Sequence, residues 1–308
     1  MTRLPLCDVA CPVCGSSDAR QKRAAAYPEG MNLEAARCFY SASSDHALLD
    51  RVAQCRSCGM IYVSPRLDAA LIESGYEAGD DPMFVQQNAQ RIRTFARAVR
   101  GILSRTGIQP AGKRLLDVGC AGGAFPAAAR DAGFAVEGIE PNRWLGQYAQ
   151  TTYGIPVHQG VLKPGMFPPE SFDVVTIWDV IEHLADPHDA LRNIRALLRP
   201  DGYLWLNYPD AGSIMARLLG WRWPFWLSVH LHYYTRRTIE SQLRRAAFTV
   251  CYTRAHWQEL QLGYVLRRAA AVVPPARYVG SLVRGLGMEQ VPVLYNLGQR
   301  LVIAKPHD

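Results

Sequence analysis

Six of the eight cysteines fall within the first 58 residues, and four of them form two C-x-x-C-G knuckles, Cys11-Pro-Val-Cys14-Gly15 and Cys55-Arg-Ser-Cys58-Gly59. Each knuckle is a tight turn that points two thiolates at one centre, and its glycine admits the left-handed backbone such a turn needs. Two together predict a closed four-cysteine zinc site, which has no open coordination position and so staples a small region instead of performing chemistry. The 40 residues between Cys14 and Cys55 exceed the spacing of a compact zinc ribbon, so an insertion is looped out. Cys7 and Cys38 are spare thiols able to stand in for a ligand. A redox dithiol fits less well, because neither pair leads from a strand into a helix.

A second group is Asp117-Val-Gly119-Cys-Ala121-Gly122-Gly123, at the end of the apolar run Leu115-Leu116. Glycines after a strand let the backbone approach a ligand closely, and an acid closing the next strand, here Glu140, grips both hydroxyls of a ribose. Dinucleotides and S-adenosylmethionine are both bound on this plan. The spacing departs from G-x-G-x-x-G, with Ala121 where many such loops have glycine, and a carboxylate at Asp117 suits an ammonium group better than a pyrophosphate. The pattern therefore points to S-adenosylmethionine.

A third group, Asp179, Glu182 and His183, spells D-x-x-E-H, whose spacing sets all three on one face of a helical turn. A histidine with an ordinary pKa of about 6.5 is suited to removing a hydroxyl proton as a methyl group is transferred. The plainer alternative has Glu182 capping backbone and His183 packing. His232 and Tyr233, in His230-Leu-His232-Tyr233-Tyr234, are secondary base candidates that core packing would equally explain.

The elements that must hold these groups follow from periodicity. Met60–Val63 reads as a short strand, and residues 67 to about 105 read as helical, with Ile92, Phe95, Val99, Ile102 and Leu103 on one stripe. The break Thr106-Gly-Ile-Gln-Pro110-Ala-Gly112 marks a boundary, after which strands and helices alternate. This grammar predicts an α/β fold, a doubly wound, Rossmann-like seven-stranded sheet, with a small zinc-ribbon-like region before it and a helical lid. The division is 1–66 for the zinc-ribbon-like region, 67–110 for a helical linker or cap, and 111–308 for the cofactor domain. Lid insertions fall at about 211–235 and 262–290.

Charge is placed unevenly. Residues 1–210 hold 21 Lys and Arg against 23 Asp and Glu, whereas residues 211–308 hold 13 against 4. A chain coated in positive charge for nucleic-acid packaging is excluded, and one basic face is expected. Within that last third, Trp221, Trp223 and Trp226 stand beside Arg217 and Arg222, a composition suited to sugar or phenol rings and to phosphate or carboxylate. The apolar stretch Leu262–Leu286, with spaced arginines and Pro274-Pro275, suits either a packed helical hairpin or a peripheral contact with an anionic membrane. No run of about 18 apolar residues and no signal-like leader is present, so a cytoplasmic, reducing setting is expected, with peripheral membrane contact as its one variation.

Residues 111–308 resemble the class I S-adenosylmethionine-dependent methyltransferases. The resemblance is carried by LLDVGCAGGAF at 115–125, GIEPN at 138–142 and SFDVVTIWDVIEHLADPHDALRNIRALLRPDGYLWLNYPD at 171–210, and is similar to the ubiquinone-type and sugar or natural-product branch. CPVCG and CxxCGMIYVSP are similar to the zinc-binding region that precedes such domains, including in sugar C-methyltransferases. Those enzymes carry a further C-terminal domain that this sequence does not show, which turns the expectation toward oxygen. The resemblance implies that Asp117, Gly119 and Gly123 cradle the methionine part, Glu140 binds the ribose, and Val161 with Leu162 meets the adenine through backbone. Trp178 and Asp179 would line the cofactor, Trp178 being as readily a core aromatic. It also implies a divalent cation at Asp179, Glu182 and His183 that binds the acceptor's oxygens. The function expected is O-methylation of a small-molecule, glycan or lipid-linked acceptor, with an anionic acceptor as the sharper expectation and His183 assisting. A zinc-finger rRNA or tRNA methyltransferase is the first alternative, made weaker by a front third that is not basic and by the lack of an N-P-P-Y tetrad. A non-catalytic zinc-ribbon protein is the second, opposed by the intact Asp117, Gly119, Gly123 and Glu140.

Overall fold

The computed structural model describes residues 4–38, 48–77, 80–272 and 276–307. Its main sheet has seven strands: β1 (Arg114–Val118), β2 (Ala135–Glu140), β3 (Val157–Gln159), β4 (Phe172–Trp178), β5 (Leu198–Pro209), β6 (Phe248–Ala255) and β7 (Gln299–Pro306). They lie in the order β6-β7-β5-β4-β1-β2-β3. β7 is antiparallel to both neighbours and the other pairs are parallel. The chain winds outward from β1 in one direction and from β4 in the other, which opens a crevice over the carboxyl ends of β1 and β4. All seven residues of β4 are buried, as expected of a central strand covered on both faces.

One face is covered by helices Asn88–Thr106 and Ala124–Asp131, whose Phe95, Val99 and Phe125 pack with Leu115 and Trp205. Helices Pro187–Leu197 and Arg236–Arg245 cover the other, setting Leu191, Ile194 and Leu243 against Val175 and Leu206. The amphipathic stripe read from 92 to 103 is thus the buried face of its helix, with Ile92 and Leu103 at its margin.

The cysteine-rich region has its own antiparallel sheet of Ala19–Arg23, Val52–Cys55 and Ile61–Val63, and the fourth strand is His232–Tyr233. Cys11, Cys55, Met60 and Tyr62 belong to the same apolar core as Tyr234 and Phe248. The front of the chain and the 211–235 segment are therefore one packed unit.

That pairing changes the reading of the aromatic segment. Trp223 and Trp226 are buried against Val52, Ile61 and Tyr233, and their indole N–H groups donate to the carbonyls of Leu297 (2.6 Å) and Gly220 (2.9 Å). Of the three tryptophans only Trp221 offers a face, at 44% exposure. The 262–290 segment contains helices Leu262–Val272 and Ala276–Gly285, joined through Pro274-Pro275, which lies outside the described residues. It is flanked by a two-stranded ribbon, Gln258–Gln261 with Pro292–Tyr295, that sequence periodicity does not reveal because each arm has only four residues.

Tyr233 is held as a core residue, 1% exposed, with its hydroxyl donating to the Leu227 carbonyl at 2.9 Å and its ring 4.4 Å from that of Trp226. Tyr233→Ala should therefore lower the unfolding free energy by about 3–5 kcal/mol, and Tyr233→Phe by about 1–2 kcal/mol through the orphaned carbonyl. Urea unfolding measures both, and unchanged midpoints would show that this strand does not hold the two sheets together.

Candidate active site

At the carboxyl end of β1 the chain must turn within a few residues against two neighbours. Gly119 (φ 77°) and Gly123 (φ 79°) adopt the left-handed backbone, as does Ala121 (φ 45°). A Cβ on Gly119 would sit 2.6 Å from Val180 Cγ2, and one on Gly123 2.8 Å from Ala149 Cβ, so both positions demand glycine on two grounds. Asn88, from the helix covering this edge, donates its amide to the Gly122 carbonyl at 2.9 Å.

Glu140 ends β2 with both carboxylate oxygens engaged by backbone: Oε2 accepts from Ala121 N–H at 2.7 Å and Oε1 from Asn142 N–H at 2.8 Å. Burial pushes its pKa up to about 7, against the pull of those two amides. Asp117, 1% exposed, accepts a 2.6 Å hydrogen bond from the Thr176 hydroxyl. Burial raises its pKa well above the usual carboxylate range, with the charge of Glu140 adding to the shift. Gly160 N–H donates to the Glu140 carbonyl at 3.0 Å, which brings half-buried Val161 and Leu162 alongside the same strand end.

These residues fit S-adenosylmethionine. Gly119 and Gly123 leave no room for a side chain, and the Glu140 carboxylate is pre-set with lone pairs to spare for hydroxyls. Asn88 Oδ1 and Trp178 Nε1 are buried with no hydrogen-bond partner, as a polar ligand at this edge would explain. The body of Trp178, however, packs in the core: its ring lies 4.8 Å from Phe125, 5.1 Å from Phe95 and 5.4 Å from His256.

Asp179 follows β4 in a left-handed conformation, φ 52°, unusual for a residue with a side chain. It is locked there by Asn207 of β5, whose Oδ1 accepts the Asp179 N–H at 2.6 Å and whose Nδ2 donates to Asp179 Oδ1 at 2.7 Å. Burial raises the Asp179 pKa, with Arg91 and Asn207 opposing. Asn207 is a site residue the sequence reading passed over; its signal was one amide inside the otherwise apolar strand Leu204-Trp-Leu-Asn207-Tyr.

Glu182 and His183 meet His230, and the ligand atoms of these three lie within 4.8 Å of one another. The trio D-x-x-E-H is thus corrected at its first member, because Asp179 is turned to Asn207. His183 Nδ1 lies 3.0 Å from the Val229 carbonyl and His230 Nδ1 2.8 Å from the Phe225 carbonyl. A carbonyl only accepts, so each ring carries its proton on Nδ1 and has Nε2 as its basic nitrogen. The rings stand 4.7 Å apart, nearly edge to face. Burial lowers the pKa of His183 to about 4, against the pull of the Val229 carbonyl. Glu182 Oε2 is buried without a partner, and burial together with Asp179 raises the pKa of this acid well above its usual value.

His232 and Tyr233 do not join this group by their side chains. His232, 1% exposed, has Nε2 2.9 Å from the Leu184 carbonyl and lines a separate cavity of about 250 Å³ with Cys11, Arg66 and Arg245. Tyr233 is the core residue described above.

The four knuckle cysteines converge. Cys11 and Cys58 Sγ are 3.4 Å apart, Cys14 and Cys55 Sγ 3.5 Å, and all four sulfurs fall within 4.8 Å of one another. This suits a tetrahedral ion with metal–sulfur bonds of about 2.3 Å. Cys7 lies exposed in the strand Leu6–Cys7 and outside that group, while the side chain of Cys38 lies outside the described residues.

Residues 88–253, more than half of the 308-residue chain, match a family model described as a methyltransferase domain. The chain belongs to that family, the class I S-adenosylmethionine-dependent methyltransferases. Among curated relatives it is 37% identical over 107 residues to the ubiquinone biosynthesis O-methyltransferase of Haemophilus ducreyi, covering 31% of this chain and 45% of the relative. The protein of the same name from Histophilus somni is 29% identical over 139 residues, covering 42% and 55%. The chain thus spans about half the length of these relatives. Among solved structures, the YcgJ protein of Bacillus subtilis aligns with a TM-score of 0.49 and 16% identity, over 70% of this chain and 99% of that one. A SAM-dependent methyltransferase from Archaeoglobus fulgidus aligns at 0.47 and 17%, over 73% and 100%.

With Glu140 titrating near pH 7, its ionised, hydroxyl-accepting form fades as pH falls through neutrality. The cofactor should bind about tenfold more weakly at pH 6 than at pH 8, and Glu140→Gln should bind weakly with a flat profile. Calorimetric titration across this range checks it; a flat profile in the unaltered protein would separate binding from Glu140 ionisation.

Proposed function

We propose that this chain moves a methyl group from S-adenosylmethionine to an oxygen of a small-molecule acceptor, a class that includes glycan and lipid-linked compounds, with His183 taking the hydroxyl proton. The observation that carries this reading is the placement of His183. It stands three residues beyond Val180, which touches the glycine loop, with Nδ1 secured by the Val229 carbonyl so that Nε2 is the nitrogen able to accept a proton. When bound, S-adenosylmethionine supplies an electrophilic methyl group on a sulfonium. Asp117, the loop amides and Glu140 orient it. His183 Nε2 accepts the acceptor's proton as the new carbon–oxygen bond forms and the carbon–sulfur electron pair stays with sulfur. The name shared by the curated relatives supports oxygen as the atom methylated. The arginine-rich last third supports an anionic acceptor and gives no support to nucleic acid.

A second reading of the same cluster has its own support. Two histidines with Nδ1 tied to carbonyls and a buried carboxylate oxygen lacking a partner are what a divalent cation needs from its ligands and their supports. Such an ion at Glu182, His183 and His230 would hold acceptor oxygens and lower their pKa. The four cysteines, by contrast, form a closed site for structural zinc.

His183→Ala should reduce turnover about 100-fold or more, with unchanged cofactor affinity, measured by transfer from labelled S-adenosylmethionine into fractionated cell extract. Full turnover would remove His183 from the mechanism. Mn²⁺ titration that shows binding in the unaltered protein and none in Glu182→Gln would favour the cation. For the knuckles, one zinc per chain by elemental analysis is expected, with Cys55→Ser losing the metal and about 3 kcal/mol or more of stability. A metal-free chain of unchanged stability would overturn the zinc assignment.

A further inference from the structure

The hairpin of Leu262–Val272 and Ala276–Gly285 buries Gly263, Tyr264 and Val283 and leaves most of its second helix exposed. Val283 faces inward at 9% exposure, whereas Tyr278, Leu282 and Leu286, four residues apart, are 66%, 63% and 63% exposed. Met288 and Val291, where the chain leaves the hairpin, continue the apolar surface at 42% and 40%. A surface helix ordinarily turns polar residues outward, and a continuous exposed apolar stripe marks a place that something covers.

Charge selects the cover. Residues 262–298 contain four arginines and one acid, Glu289. Arg284 and Arg267 both reach that carboxylate, at 3.1 and 4.0 Å, so one acid is shared and the surface keeps a positive excess. Leucines that can enter an acyl layer, a tyrosine suited to the headgroup level and a surplus of arginine together fit an anionic bilayer. A second copy of this largely neutral-fronted, basic-tailed chain would bring its own positive charge to the same surface. No described helix is long and apolar enough to cross a membrane, so the contact lies in the interface.

The hairpin is also joined to the cleft. Its ribbon starts just past the carboxyl end of β6 and is tied to the helix Asn88–Thr106 through Glu259 N–H to Thr94 Oγ1 at 2.8 Å and Gln87 to Gln261 at 3.1 Å. That helix holds the glycine loop through Asn88. We propose that the 262–291 hairpin is an interfacial anchor for anionic membrane surfaces that sets the rim of the methyl-transfer cleft against the bilayer. In its consequence this rests on the methyltransferase reading and narrows the acceptor to one carried in or on a membrane.

The test is flotation of the full chain with phosphatidylcholine vesicles, with and without about 30 mol% phosphatidylglycerol, beside Leu282→Glu/Leu286→Glu. The expected result is binding at least tenfold tighter to the anionic vesicles, weakened by salt, and at least tenfold weaker in the variant. Both leucines are exposed, so thermal unfolding and calorimetric cofactor affinity should match the unaltered chain. Absence of flotation at low salt, equal binding by the variant, or a dimer that the variant abolishes without any vesicle binding would each overturn the anchor. Cofactor calorimetry is separate: failure to bind S-adenosylmethionine would strike the methyltransferase reading and leave the vesicle result standing.

Discussion

The site depends on one peptide group. The carbonyl of Glu182 accepts hydrogen bonds from Leu231 N–H (2.8 Å) and His232 N–H (3.1 Å), so the turn leaving β4 is fastened to the segment that completes the cysteine-rich sheet. The Leu231 carbonyl in turn accepts from Val63 N–H at 2.9 Å, and Tyr62 and Ile61 pair with His232 and Tyr233. A chain of backbone bonds thus runs from the cysteine knuckles to the residues beside the glycine loop. His183 and His230 come together because Glu182 and Leu231 are bonded, and the loop carbonyls of Val229 and Phe225 set the ring faces.

The second organising feature is an excess of buried acid. Asp117, Glu140, Asp179 and Glu182 all lie at the carboxyl edge of β1, β2 and β4, and burial raises the pKa of each. Like charges in a low dielectric are costly unless something offsets them. Arg91 offsets Asp179, Thr176 bonds Asp117 and backbone amides serve Glu140. Burial pushes these acids toward their neutral forms, and a ligand bearing positive charge, as the sulfonium and ammonium groups of S-adenosylmethionine do, would draw them back to the ionised state. The strained Asp179 belongs to the same economy: Asn207 holds it with two short bonds where a relaxed backbone would turn its carboxylate elsewhere.

Much of this was legible in sequence because its causes are local. A continuous apolar run marks a strand buried on both faces, as Phe172–Trp178 is. Glycines at 119 and 123 and an acid at 140 carry their roles in their own backbone and spacing. What escaped depends on partners far along the chain. His183 meets the Val229 carbonyl 46 residues away, and no periodicity joins D-x-x-E-H to His230. His232–Tyr233 is a strand only because Ile61–Val63 offers it an edge. The tryptophans beside arginines suit a stacking surface and a lid core equally in sequence, and Trp223 and Trp226 fill the space between two sheets, a contact set by tertiary packing.

The cysteine cluster reaches the turn of Glu182 and His183 through this same architecture. A two-residue strand contributes about two net backbone bonds, on the order of 1 kcal/mol each, too little to order the turn carrying Glu182 and His183 against its conformational entropy. Holding it therefore falls to what stands behind Ile61–Val63: Met60 and Tyr62 in the shared core, and the thiolates of Cys55 and Cys58 drawn to the same centre as Cys11 and Cys14. A closed four-thiolate site would suit that task, because its bonds would be indifferent to the chemistry of the cleft while their stiffness passes on through the strand backbone and the shared core. The knuckles thus stand well apart in sequence from the D-x-x-E-H turn while fixing the ground on which it is built.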